Sequence, residues 1–314
     1  MPELPEVETV VRDLRPLLTG RTIVGARQSK HKLRRPWKPA WNAKVAGARV
    51  EAVRRRGKWI LIDIAADPPP QPPSLKGGGL KSGSPSLQGG GWGGGSSLLR
   101  VHLGMSGQFT VVPAVTAEPD HLHVVFALDN GHELRLRDPR RFGSAEFFPD
   151  RVALELEMNA ELGPEPFGLD ANYFRTAICG TGRNLKAILL DQTIVAGVGN
   201  IYADEACFRA KLHPGRKGKS LTPAECDGLR EAIEAVLTRA IESRGTTFDK
   251  AYVGGRNQTT VYGRTGEPCP TCETAIACAR YAGRASHYCG SCQPLAVSRQ
   301  PAKKKPKTGR RKSA

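Results

Sequence analysis

The chain has 314 residues, about twice the usual domain length, so two or three modules with cores of their own are expected. Lysine plus arginine outnumber aspartate plus glutamate by 47 to 30, giving a net charge of +17 and a pI of about 9.8, which favours a polyanionic partner such as nucleic acid over an acidic small molecule. No apolar run approaches the roughly 18 residues that suggest a membrane span, and the N-terminus lacks a charged-then-apolar leader, so a soluble cytoplasmic protein is expected.

In chain order, Val7, Val10, Val11, Leu14 and Leu18 repeat with the period of one helical face, and Pro5 suits a first turn, which predicts an amphipathic helix starting near residue 3. From Thr22 to Ile64 and from Leu98 to Phe148, short β-rich runs such as Trp59 to Ile64 and His123 to Leu128 alternate with turn signals. Asn130-Gly131 between two such runs predicts a hairpin turn. Residues 2–148 therefore read as a β-sandwich with an N-terminal helix. Residues 67–97 interrupt it with a Gly/Pro/Ser-rich stretch, in which Pro73 to Gly79 nearly recurs as Pro85 to Gly91. Too few apolar side chains are present to offset the entropy of ordering, so a flexible surface insertion is expected. No strand-to-helix frame or P-loop lysine surrounds its glycines to support a phosphate cradle.

After Pro149 the pattern turns helical, with a second module over 155–247. Arg183 to Leu190 and Ile201 to Ala210 read as helices joined by Asp191 to Asn200, and the amides opening the second helix suit an anion such as phosphate. Thr222-Pro223-Ala-Glu225 is a capping box, followed by Leu229, Ile233, Val236, Leu237 and Ile241 on one face and a stop at Gly245. Residues 298–314 form a lysine-rich tail, expected to be disordered and to add salt-sensitive affinity for polyanions. The class is α+β, multidomain.

Cys269-Pro-Thr-Cys272 and Cys289-Gly-Ser-Cys292, 16 residues apart, have the spacing of two knuckles giving four thiolates to one zinc ion. With no open ligand position the Zn2+ would be structural, holding a finger over 260–296 too small to bury a sufficient core. A redox dithiol, the alternative, lacks a surrounding βαβ pattern. Arg280, Arg284 and His287 make the finger basic, while Cys179, Cys207, Cys226 and Cys278 have no partner at recognisable spacing.

Met1-Pro-Glu-Leu-Pro-Glu-Val-Glu-Thr9, Arg56-Gly-Lys58, His102-Leu-Gly-Met-Ser-Gly107, Asp138-Pro-Arg-Arg-Phe-Gly143, Gly197-Val-Gly-Asn-Ile-Tyr202 and the four-cysteine finger together closely resemble bacterial formamidopyrimidine-DNA glycosylases. The resemblance spans nearly the whole chain outside the insertion and tail. It implies a β-sandwich, a helix-two-turn-helix module and a zinc-finger hairpin around a DNA cleft, in a monomer. The implied activity is removal of oxidised purines from duplex DNA, with β,δ-elimination at the abasic site through a Schiff base. By the same resemblance Pro2, freed by loss of Met1, is the nucleophile, Glu3 its acid/base partner, Glu6 a helper, and Lys58 a phosphate-binding lysine at a hairpin tip. Met105, Arg140 and Phe142 would fill the gap left by the everted nucleotide. Asn200 and Arg284 would grip phosphates, and His102, His121, Arg141 and Lys186 would add DNA contacts.

Elementary chemistry points the same way. An α-amino group has a reference pKa of about 7.7–8.0 against about 10.4 for lysine, so it is far more often unprotonated at neutral pH. Proline attacking C1′ gives an iminium ion that cannot shed an N–H proton, and this acidifies the neighbouring sugar proton. Two alternatives remain at this stage: a glycosylase preferring oxidised pyrimidines, and a non-catalytic DNA binder, which would need neither Pro2 nor Glu3. The span Asp249 to Thr260 is short for the loop that closes over the flipped base in the family, so weaker selection for 8-oxoguanine is expected.

Replacing residues 67–97 with a short turn should leave glycosylase turnover within about tenfold, roughly 1.4 kcal/mol of barrier. Single-turnover rates of the two proteins check this, and a larger drop would give the insertion a working role.

Overall fold

The computed structural model describes residues 2–66, 97–246 and 255–295. Insertion residues 67–96, positions 249–254 of the short loop and the tail 298–314 lie outside the described residues.

Helix α1 (Leu4–Leu18) opens the chain and buries the expected stripe of Val7, Val10, Val11, Leu14 and Leu18. A short helix α2 (Asn42–Val45) follows strand β1 (Thr22–Gln28). Seven more strands complete the sheet: β2 (Ala48–Arg56), β3 (Trp59–Ala66), β4 (Ser97–His102), β5 (Gln108–Pro113), β6 (Leu122–Leu128), β7 (His132–Arg137) and β8 (Ser144–Phe148). All pairings are antiparallel, in the order β5-β7-β6-β1-β2-β3-β4-β8. The end strands β5 and β8 nevertheless share a core, with Phe109 and Ala145 in one buried cluster alongside Ile62, Val101, Phe126 and the α1 stripe. The sheet therefore folds over on itself as a sandwich, with α1 closing it. The Asn130-Gly131 turn joins β6 to β7, with Gly131 at φ 73°, the left-handed conformation a tight hairpin turn requires.

The second module contains α3 (Arg151–Glu161), α4 (Ala171–Cys179), α5 (Leu185–Leu189), α6 (Asn200–Arg209) and α7 (Pro223–Glu242). Side chains cap four of these helices: Asp150 accepts from Ala153 N, Asp170 from Tyr173 N, Asn184 from Ala187 N, and Thr222 and Glu225 form the expected box. Only α6 opens on a residue without a side chain, Gly199. The module's core joins Phe174, Ile188, Leu189, Tyr202, Leu229 and Leu237 with Leu4, so the first residue of α1 packs in this module and not in the sandwich. Cys179 and Cys226, unpartnered by spacing, meet where α4 ends and α7 begins.

The third unit is the hairpin of β9 (Ala277–Tyr281) and β10 (Arg284–Tyr288), turning through Ala282 and Gly283 at positive φ. Its buried core is small, built on Val261, Cys269, Ile276 and Cys289, so other forces must hold it.

Arg100 locks sandwich to helices. Almost fully buried on β4, its guanidinium donates to Glu146 of β8 and Glu157 of α3 while lying 4.4 Å above the Trp59 ring and 4.7 Å above that of Phe148. Arg100→Ala should cost about 3 kcal/mol in chemical denaturation, because it strands partly buried carboxylates and removes two ring contacts. A loss under about 1 kcal/mol would show water to be an adequate substitute.

Candidate active site

The uncapped start of α6 is where the site is built. Glu3, 1% exposed, accepts from Ile201 N at 2.9 Å and from Tyr202 N at 3.4 Å, two of the orphan N–H groups of that helix. A carboxylate 198 residues upstream thus supplies the cap that Gly199 cannot. The glycine is required, because a Cβ there would stand 2.3 Å from the Glu3 carboxyl carbon. Leu4 N donates to Gly197 O in the same place, and Gln192 braces the preceding loop through Gly197 N and Val198 O. The anion expected at this helix start is therefore the protein's own carboxylate, which corrects the reading of these amides as a phosphate site.

Glu6, 4% exposed, holds three segments together. One oxygen accepts from Glu3 N at 2.9 Å, and the other accepts from the Tyr202 hydroxyl at 2.6 Å and from Thr246 N at 2.9 Å. Lys58 occupies the two-residue tip between β2 and β3, after Gly57 at φ 56°. Its side chain is buried and its Nζ donates to Val198 O at 2.9 Å. Burial pushes the Glu3 carboxyl above the ordinary carboxylate range, opposed by the nearby Lys58 charge and reinforced by Glu6. Burial likewise lowers Lys58, opposed by Glu3 and Glu6, with Arg284 pushing in the same direction as burial. A carboxyl raised by burial, next in sequence to Pro2, and an ammonium lowered by burial thus act on one another out of water.

A second constellation lies at the sandwich edge. Asp138, fully buried, accepts from the Ser106 hydroxyl at 2.6 Å and Arg140 N at 3.2 Å with one oxygen, and from Gly143 N at 2.7 Å with the other. It thereby clamps the half-exposed Met105 turn to the exposed Arg140, Arg141 and Phe142. Gly104 makes the approach possible, since a Cβ there would lie 2.6 Å from Gly143 N. Phe142 sits between the guanidinium groups of Arg34 and Arg140, at 4.0 and 5.4 Å from its ring centre. His102 accepts from Gly104 N and packs 4.6 Å from Trp59; burial foremost, then the Lys58 charge, lowers it to about 4, so it is neutral at physiological pH. His121 is exposed at φ 63°, its ring 5.7 Å from that of His31.

Arg284 stands exposed at the finger tip, close enough for its charge to act on Lys58 and Tyr262. Asn200 donates to the Tyr262 hydroxyl at 3.3 Å. Lys186 does not reach the surface: fully buried, it donates to Asp204 at 2.5 Å and to Asn200 O at 2.7 Å, holding α5 against α6. The other oxygen of Asp204 accepts from His287 N at 2.8 Å, and Glu205 accepts from Thr260, Val261 and Tyr262 N at 2.8–2.9 Å. Adjacent acids on α6 thus dock the finger. Sequence reasoning assigned no role to Asp138, Tyr202, Asp204, Glu205 or Thr246; the first two lay inside quoted motifs, and only their long-range contacts reveal what they do.

The four finger cysteines gather with all sulfurs within 4.8 Å of one another. The Cys272–Cys289, Cys272–Cys292 and Cys269–Cys292 separations are 3.4, 3.4 and 3.9 Å. A tetrahedral thiolate site with metal–sulfur bonds of about 2.3 Å needs sulfurs about 3.8 Å apart, so the group fits one metal ion. Thr271 N and Cys292 N point at the sulfurs of Cys269 and Cys289.

Comparisons with known proteins agree with this geometry. The family model described as formamidopyrimidine-DNA glycosylase N-terminal domain matches residues 1–145, and that described as formamidopyrimidine-DNA glycosylase H2TH domain matches 162–251. The formamidopyrimidine-DNA glycosylase of Herpetosiphon aurantiacus is 41% identical over 303 residues, covering 93% of this chain and 100% of that protein. A MutM structure in complex with DNA containing carbocyclic 8-oxo-G aligns at TM-score 0.78 and 29% identity, and the Lactococcus lactis Fpg with DNA containing an abasic site at 0.77 and 28%; each alignment covers 93% of this chain and 100% of the other. The chain belongs to the formamidopyrimidine-DNA glycosylase family.

Proposed function

We propose that this chain excises oxidised purines, formamidopyrimidines and 8-oxoguanine, from duplex DNA and then cleaves the abasic site through the α-nitrogen of Pro2. The observation that carries the reading is the buried Pro2-Glu3 start, held against α6 with Glu6 and Lys58 around it. A protein that only binds DNA has no use for two ionisable groups kept out of water at mutual expense. The names of the relatives and the lesion-containing DNA in their structures support the substrate class.

In this reading Met1 is removed and Pro2 attacks C1′ of the everted nucleotide, while Glu3 delivers and recovers protons at the sugar. The damaged base leaves, and the iminium formed on Pro2 acidifies the C2′ proton, whose loss expels the 3′ phosphate; a second elimination releases the 5′ phosphate. Met105, Arg140 and Phe142 occupy the vacated stack, where Arg140 can hydrogen-bond the orphaned base and Phe142 can wedge the step. Arg141, His121 and neutral His102 contact the backbone nearby, and Lys58, Asn200 and Arg284 face phosphates at the active site. Lys186 contributes by fixing the backbone of Asn200 from within. Cys269, Cys272, Cys289 and Cys292 hold Zn2+, which keeps the basic hairpin in shape and takes no part in the reaction. The enzyme acts as a monomer at the nucleoid in the cytoplasm; no helix among the described residues is long and apolar enough to cross a membrane.

Intact mass should show one methionine fewer than the full sequence. Borohydride should trap the protein on an abasic duplex, with the adduct mapping to Pro2. Pro2→Gly should trap weakly, and Glu3→Gln should lose base excision by more than a hundredfold while binding the duplex as well as before. Undiminished excision by a protein that retains Met1 would remove Pro2 from the chemistry.

Cys289→Ser should release zinc and weaken DNA binding at least tenfold while the sandwich keeps its far-ultraviolet signature and unfolding midpoint. Zinc content, binding isotherms and circular dichroism check this, and unchanged affinity in the metal-free variant would take the finger out of the DNA interface.

A further inference from the structure

We propose that Cys179 and Cys226 form an oxidisable dithiol, a modification site in the helical module that reacts with low-molecular-weight disulfides and closes into a covalent bridge between α4 and α7. The two sulfurs lie 3.0 Å apart although they are 47 positions apart in the sequence. A disulfide bond is about 2.05 Å long, so closure asks for a movement of about 1 Å. Both cysteines sit at helix ends, Cys179 as the last residue of α4 and Cys226 in the first turn of α7. The Arg175–Asp227 ion pair bridges the same two helices and holds the ends in register. Among the described residues the only cysteine group with metal-ligand geometry is the finger, so this pair is not a second metal site.

Access differs between the two sulfurs. Cys179 is partly exposed and Cys226 fully buried. Burial foremost, then the hydrogen bond with Cys179, pushes the Cys226 thiol up to about 12, which leaves Cys179 as the sulfur that attacks first. Its thiolate displaces one thiolate from the external disulfide and forms a mixed disulfide. Cys226 then passes its proton to the departing group, attacks Cys179 Sγ and expels the second small thiol. Two electrons leave the protein pair, and one external disulfide becomes two thiols. Along α7, the 16 residues from Cys226 to Glu242 at about 1.5 Å each span about 24 Å, and that far end of the helix leads to Gly245, which packs on Glu6, so the bridge forms far from the Glu3–Glu6 site.

The test treats the full-length zinc-loaded protein with oxidised glutathione at neutral pH, denatures it in an alkylating reagent without reductant, and maps the peptides. The expected product is a cross-linked pair of peptides carrying Cys179 and Cys226, two hydrogens lighter than the sum and released by dithiothreitol, while exposed Cys278 carries a glutathione adduct. Cys226→Ser should arrest Cys179 as its glutathione adduct, and Cys179→Ser should leave Cys226 unreacted. The bridged protein should melt its helical module several degrees higher and excise lesions at an unchanged rate. Recovery of Cys179 and Cys226 as alkylated thiols, or as separate adducts, in a sample whose Cys278 is modified would overturn the proposal.

Discussion

The structure depends on a carboxylate seated on a helix that cannot cap itself. Glu3 satisfies the first N–H groups of α6, and in doing so it fixes the approach of the sandwich to the helical module. The burial that this docking brings raises the Glu3 carboxyl, against the Lys58 charge and the two amide hydrogen bonds themselves, which favour the carboxylate. Docking of the modules and burial of Glu3 are one interaction, and Gly197 and Gly199 leave the space that it needs.

The elements visible in the sequence are those whose causes are local. The α1 stripe, the Thr222–Glu225 box and the Asn130-Gly131 turn each depend on residues a few positions apart, and each forms where expected. The cysteine spacing likewise located the cluster at the finger. What was hidden is long-range. The amides of α6 read as a phosphate site because nothing nearby reveals that their anion comes from residue 3. Lys186 read as facing DNA because a lysine on a short helix gives no hint of Asp204, 18 residues on, waiting for it in the core. Cys179 and Cys226 looked solitary because their spacing matches no motif. The motifs singled out Glu3, Glu6 and Lys58, which the structure brings together, and Asp138 shows their limit: its place in a motif was plain, while its grip on Ser106 and Gly143 was not.

A metal ion can set the shape of the finger but not its orientation. Orientation comes from α6, whose consecutive acids accept from two parts of the finger, Asp204 from β10 and Glu205 from the three amides that lead into it. Because α6 also carries the Glu3 contact at its start, a single ten-residue helix sets the positions of the acid, Asn200 and the Arg284 hairpin. Its low exposure follows from this, since few of its faces are left for solvent.

The β3–β4 pair has two unlike ends. Lys58 precedes Trp59, which pairs with His102; at the other end Ile64 pairs with Ser97, and there the chain leaves and re-enters the sheet around residues 67–96. Five residues at about 3.3 Å each put roughly 17 Å of paired backbone between the two. The pair therefore carries Lys58 at one end while the break in the described chain falls at the other, so a change of length between residues 66 and 97 acts on the strand ends remote from Lys58.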